Sequence, residues 1–167
     1  KTFNFYSGNV ADVIFERLVQ YDYLANPVKL VPATAQSLPT IEKNGQVYTF
    51  KIKSGIYFTD DPAFKGKRRE LVAEDYVYSI KRILDPKNHA PSFSFIDNKL
   101  VGANALVEQA NKTGQFNYDA KIEGVKALDK YTIQFKLTQP DYNFPYILAY
   151  STFGATAREV VEYYKDQ

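Results

Sequence analysis

Residues 47–86 constrain this chain most, because strand-like and helix-like periodicities follow one another there with sharp punctuation between them. Tyr48, Phe50 and Ile52 alternate with Thr49, Lys51 and Lys53, the pattern of a strand with one buried face. Asn44-Gly45 supplies the positive φ of a tight turn, so residues 40–43 are expected to pair back on residues 47–53 as a hairpin. Ser54-Gly55 breaks the strand, and Ile56, Tyr57 and Phe58 open another apolar run. Beyond a polar loop over residues 59–70, Glu74 and Asp75 put negative charge at a helix N-terminus, where the macrodipole favours it. Lys81 and Arg82 fall in the last turn, and Asp85-Pro86 ends the helix. Val72 cannot cap this helix with its own side chain, so the first amides need a partner from elsewhere.

The remaining elements read less sharply. Phe3 and Phe5 suit a short strand leading into a first helix, capped by Ser7 or Asn9, with Val10, Val13, Ile14, Leu18 and Tyr21 as its apolar stripe. Residues 87–97 look irregular, residues 100–110 carry helical spacing, and Gly114 is placed to stop that helix. Residues 122–128 and 131–137 form two strands joined through Asp129-Lys130, with Tyr131, Ile133, Phe135 and Leu137 on one face. Residues 141–150, with Pro145 in the first turn, and residues 155–164 suit two more helices. The expected core is Tyr48, Phe50, Ile52, Ile80, Ile83, Leu106, Ile133, Phe135 and Leu137. The loop over residues 59–70 is expected to be mobile, with only Phe64 near that core.

This order of parts resembles the extracellular solute-binding proteins of peptide-type ABC importers, family 5. Tyr48, Thr49, Phe50, Lys53, Gly55 and Phe58 match that family's strand pair. Ala73, Glu74, Asp75, Tyr78, Ser79, Arg82, Asp85 and Pro86 match its following helix. Ile14, Phe15, Glu16, Leu18, Val19 and Asp22 are similar to its opening segment, except that Arg17 stands where the family has Gly, a change that a solvent-facing helix position absorbs. Residues 30–37 and the pair of strands around Asp129 also resemble family segments, whereas residues 59–70 are longer than the family's usual loop.

The resemblance covers the whole chain but only about the first third of a family member. It implies an α+β fold, antiparallel hairpins with packed helices, forming part of the first lobe of a two-lobed receptor. Residues 1–30 would be the lobe edge and first helix, residues 31–150 a smaller inserted domain, and residues 151–167 the return towards the first lobe. Such receptors hold a small-molecule or peptide ligand in a cleft between lobes and deliver it to an ABC permease in the membrane. They need no cofactor and no nucleic acid, and they work in the periplasm or outside the cell, some with a lipid anchor. By position, Asn4, Phe5, Tyr6 and Ser7, with Phe93 and Phe95, would edge the cleft; the plain alternative is that Phe93 and Phe95 pack on their own domain. A sensory or regulatory protein on the same fold is the competing reading.

Composition agrees with a folded chain that is not built for nucleic acid. There are 167 residues, enough for one domain, and the net charge is only +2 with its cations scattered. Lys65 to Arg69 holds the one basic cluster, which reads as a solvated loop. Fourteen Tyr and twelve Phe, with no Trp or Met, suit a Phe-built core edged by Tyr. No run approaches the roughly 20 apolar residues that span a bilayer. The chain is expected to be a piece of a longer protein, cut at both ends.

Catalysis finds little footing in these residues. His89 is the only histidine and there is no cysteine, so thiol chemistry is excluded and a transition-metal site would need carboxylates. Asp60 and Asp61 are adjacent and point apart on an extended backbone, which does not make an acid–base pair. No phosphate-cradling loop, nucleophile elbow or HExxH pair occurs.

Overall fold

The alternation at residues 47–51 builds the centre of a four-stranded sheet. The computed structural model of the protein describes residues 15–165. Two short strands, β1 (Val19–Tyr21) and β2 (Leu30–Pro32), pair antiparallel as a separate ribbon. The main sheet contains β3 (Thr40–Glu42), β4 (Val47–Lys51), β5 (Val125–Asp129) and β6 (Thr132–Lys136), in the order β3-β4-β6-β5 and antiparallel throughout. Tyr48 lies opposite Phe135 and Phe50 opposite Ile133, so the apolar faces of two distant segments coincide. The Phe50 and Phe135 rings meet edge-on at 6.0 Å. Burying each such side chain contributes about 1.5–3 kcal/mol.

The hairpin at Asn44-Gly45 forms as expected. Lys43, Asn44 and Gly45 all have positive φ, at 49°, 53° and 87°. At Gly45 a Cβ would also lie 3.2 Å from the Tyr142 ring, so both backbone and space favour glycine.

Helix α1 (Ala73–Leu84) crosses the sheet and buries Tyr76, Val77, Ile80, Ile83 and Leu84. With no capping side chain at Val72, the Asp75 amide donates to the Val72 carbonyl at 3.1 Å, and Asp75 Oδ2 in turn accepts from the Val72 amide at 2.8 Å. The Ala73 amide donates to the Lys130 carbonyl at 2.9 Å, which ties the helix start to the β5–β6 turn. All nine expected core residues are buried.

Shorter helices complete the architecture: α2 (Phe93–Ile96), α3 (Ala103–Thr113), α4 (Phe144–Ile147) and α5 (Arg158–Tyr163). Gly114 stops α3 at φ 69°, as its position suggested. The expected helices over residues 100–110, 141–150 and 155–164 are thus shifted or shortened. Asp141 Oδ1 accepts from the Asn143 amide in a turn that delays α4. The stretch read as irregular, residues 87–97, holds a 3-10 turn at Pro86–Asn88 and the single turn of α2.

Two expectations need correction. The first helix does not extend through Leu18 and Tyr21: residues 15–18 are not helical and Val19–Tyr21 is β1. Pairing with β2, with Leu18 O accepting from the Ala33 and Ala35 amides, overrides a short apolar run that periodicity alone cannot assign. The earlier part of that helix, and the strand at Phe3 and Phe5, lie outside the described residues. Arg17 is accordingly not a solvent-facing helix position; its Nη1 donates to the Ala149 carbonyl at 3.1 Å.

The loop over residues 59–70 is tied down at both ends. Asp61 Oδ1 accepts from the Ala63 amide, and Phe64 is buried with its ring 6.2 Å from that of Phe58. Tyr57 bridges Glu70, and Arg69 and Glu70 carry ion pairs to Asp75 and Lys130. Residues 59, 60, 62 and 65–68 are exposed.

Candidate ligand-facing surface

Two short helices hold a row of aromatic rings on the surface by burying the residues next to them. In α2, Ile96 is fully buried, which turns Phe95 outward. Around α4, Phe144, Leu148 and Ala149 are buried, which leaves Tyr146 and Tyr150 half-exposed. Phe95 and Tyr150 stack with centroids 5.3 Å apart and planes within 3°. Tyr150 meets Tyr21 of β1 edge-on at 6.1 Å, and Tyr21 lies 6.2 Å from Tyr146. The Tyr21 hydroxyl donates to the Tyr146 carbonyl at 2.9 Å. Burial, and then the neighbouring Tyr150 hydroxyl, push the Tyr21 phenol up to about 12. These rings therefore offer neutral, flat apolar surface with hydroxyls at the margins, suited to contact rather than to proton transfer.

The two sequence-predicted phenylalanines separate. Phe95 is 42% exposed, whereas Phe93 packs against the core and lines a cavity with Ile83, Leu84 and Val107. Asn4, Phe5, Tyr6 and Ser7 lie outside the described residues. Tyr21, Tyr146 and Tyr150 were not singled out by sequence reading. A signal was available for the last two: Phe144 and Leu148 are buried four apart, and Tyr146 and Tyr150 follow the same spacing on the other face.

Beside this row lies a cavity of about 400 Å³ bounded by α1, residues 88–92 and residues 151–156. Ser92 and Ser151 line it, and they flank the stacked pair in sequence. His89 sits in a left-handed turn at φ 46° and is not part of this surface. Among the described residues, no group of three or more His, Cys, Asp or Glu is placed to hold a metal ion, and no helix is long and apolar enough to cross a membrane.

Comparison with known proteins makes the class specific: the chain belongs to the bacterial extracellular solute-binding proteins, family 5, whose middle-region sequence model matches residues 29–166. It is 32% identical over 125 residues to the oligopeptide-binding protein AmiA of Streptococcus pneumoniae, covering 74% of this chain and 17% of that protein. It is 28% identical over 152 residues to the peptide transport periplasmic protein SapA of Salmonella typhimurium, covering 86% of this chain and 24% of that one. The solved structure of Haemophilus influenzae OppA in complex with RPPGFSPFR superposes with a TM-score of 0.76 at 24% identity, over 99% of this chain and 29% of that one. That superposition establishes the α+β fold. The chain spans less than a third of the length of each of these proteins.

Proposed function

We propose that this chain is part of the solute-binding component of an ABC import system, and that its solute is peptide-type. The family match over residues 29–166 carries this reading, because its relatives are periplasmic or extracellular proteins that include oligopeptide-binding and peptide-transport members. In this reading the solute lies in a cleft between lobes, and the loaded receptor delivers it to a membrane permease without chemical change. Phe95, with Tyr150 behind it, forms one edge of the cleft; Asn4, Phe5, Tyr6 and Ser7 are proposed as its continuation. Phe93 serves packing instead. Exposed rings of this kind shield solute side chains from water while leaving room for bridging waters, which suits a receptor tolerant of side-chain identity.

The domain division follows from the same reading. Residues 31–150 would form the smaller domain, and the main sheet with α1 and α3, all within residues 40–137, supports that assignment. The β1–β2 ribbon would join it to the first lobe. The deciding experiment is native mass spectrometry of the full-length protein purified without denaturation. Co-purifying peptides, with masses unchanged after prolonged incubation, are expected. A receptor that retains no peptide and gives no calorimetric signal with a peptide mixture would overturn the reading, and cleavage of the peptides would make it an enzyme.

A further inference from the structure

The cavity beside the aromatic row has a chemical character of its own. Among the described residues that line it, only Arg82 is charged. Arg82 is half-buried and, among the described residues, has no ion pair and no side-chain hydrogen bond. The acids that share the neighbouring cavity with it are engaged elsewhere. Asp85 accepts from the Tyr118 hydroxyl at 2.7 Å and from the Lys87 amide at 3.0 Å, and Glu162 pairs with Arg158 at 2.6 Å.

Five hydroxyl-bearing residues line the cavity with this cation, and of these the Ser79 hydroxyl donates to the Asp75 carbonyl at 3.1 Å. Ser92 and Ser151 are 4% and 7% exposed, and neither hydroxyl has a hydrogen-bond partner among the described residues. Thr152 Oγ1 is enclosed and likewise has none. Buried polar groups are nearly always satisfied, and a desolvated cation gains most from an anion that also accepts hydrogen bonds. Guanidinium is planar and matches a carboxylate with two parallel N–H···O bonds. A single cation, with no second one among the described lining residues, balances a monoanion, which selects a carboxylate over a phosphate dianion. The volume, about 400 Å³, admits an acidic side chain with accompanying water.

We propose that this cavity is a carboxylate subsite, with Arg82 as the charge partner and the Ser92, Ser151 and Thr152 hydroxyls as donors. The carboxylate is an acidic side chain of the solute lying on the Phe95–Tyr150 surface. Its origin in the solute rests on the function proposed above; the anion site itself does not.

The test uses the 167-residue chain, isotope-labelled, with the Arg82 Nε–Hε resonance and the Ser92, Ser151 and Thr152 backbone amides as readout, the amides alone serving in the Arg82 variants. Sodium acetate is titrated at constant ionic strength against sodium chloride. N-acetyl-glutamate amide and its neutral twin N-acetyl-glutamine amide follow as side-chain probes. A saturable shift with acetate and with the glutamate probe is expected, and none with chloride or the glutamine probe. Arg82→Gln abolishes it, Arg82→Lys retains weaker saturable binding, and Ser151→Ala weakens it about tenfold. Unchanged amide dispersion in the variants shows that they remain folded, and Ser151→Ala tests the site with the cation in place. Linear shifts, equal shifts with chloride, or acetate binding that survives Arg82→Gln would overturn the subsite. Equal binding of the two amides would overturn recognition of an acidic side chain. None of these results bears on peptide capture by the full-length receptor, so the two proposals fail separately.

Discussion

Arg69 grips both carboxylate oxygens of Asp75, at 2.7 and 3.1 Å, and Asp75 is only 2% exposed. The same carboxylate caps the Val72 amide, and the same guanidinium reaches Glu159 of α5 at 2.8 Å. One contact set therefore joins the loop over residues 59–70, the start of α1 and the last helix. Burial raises the Asp75 pKa and outweighs the lowering by Arg69 and the Val72 amide. Asp75 is therefore held ionised at some cost and is stabilising only while its partners stay in place. Asp75→Ala should lower stability by about 2–4 kcal/mol, because it removes a cap and leaves a half-buried cation with Glu159 as its one remaining anionic partner. Asp75→Asn, which keeps a capping oxygen, should cost less than Asp75→Ala. Urea unfolding followed by circular dichroism checks both, and an Asp75→Ala variant of wild-type midpoint would refute the assignment.

Glu70 makes the opposite electrostatic case. Lys130 first, then the Gly55 amide and the Tyr131 hydroxyl, hold its carboxyl at about 2, against an ordinary value of 4.5. A carboxyl depressed in the folded state contributes stability that is complete above the unfolded value and lost as pH falls towards the folded one. The sensitive window is therefore between about 4.5 and about 2. Glu70→Gln should flatten the pH dependence of the urea midpoint across that window. An unchanged acid slope in the variant would show that the three contacts do not bias Glu70 ionisation.

The aromatic row predicts a separation of binding from stability. Phe95→Ala and Tyr150→Ala each remove a half-exposed ring from a stacked pair, so each should cost stability only about 0.5–1.5 kcal/mol. Ile96→Ala, one residue away and fully buried, should cost about 2–5 kcal/mol. In the full-length receptor the first two variants should bind co-purifying peptides more weakly at an almost unchanged melting temperature. Unaltered affinity in both would move the cleft edge away from this row.

How much of this could be read in the sequence depended on whether a pattern was local. The hairpin at Asn44-Gly45, α1 and the β5–β6 pair each carry their own periodicity and stop signals within about a dozen residues, and all were legible. Strand β1 was not, because Val19–Tyr21 is extended only through its pairing with β2 across an eight-residue connection. Arg69 looked like a loop cation because its partners Asp75 and Glu159 lie six and ninety residues away. The surface was half-legible: Phe95 stood out after Pro91, but its stacking partner Tyr150 is brought in by packing of α4. Arg82 was read as a last-turn cation favourable to the helix dipole and as a match to the family's helix, and its lack of an ion pair among the described residues is a property of the folded surroundings.

The chain by itself should fold yet bind the parent receptor's solute weakly. Its core is continuous from Tyr48 and Phe50 through Ile80 and Ile133 to Phe144 and Phe153, so the sheet and α1 stabilise one another within these residues. Solute affinity in a two-lobed receptor comes from closure, which dries the ligand on both sides and completes its polar contacts. The Phe95–Tyr150 surface is shallow and the proposed Arg82 subsite would take one group of the solute, so most of the ligand would stay hydrated. Losing three contacts of about 1 kcal/mol each weakens binding by roughly a hundredfold. Calorimetry of this chain and of the full-length receptor against the same co-purified peptide measures the difference. A cooperative unfolding transition for the chain, with affinity lower by about two orders of magnitude, is expected. Equal affinities would place the whole site within these residues and contradict capture between two lobes.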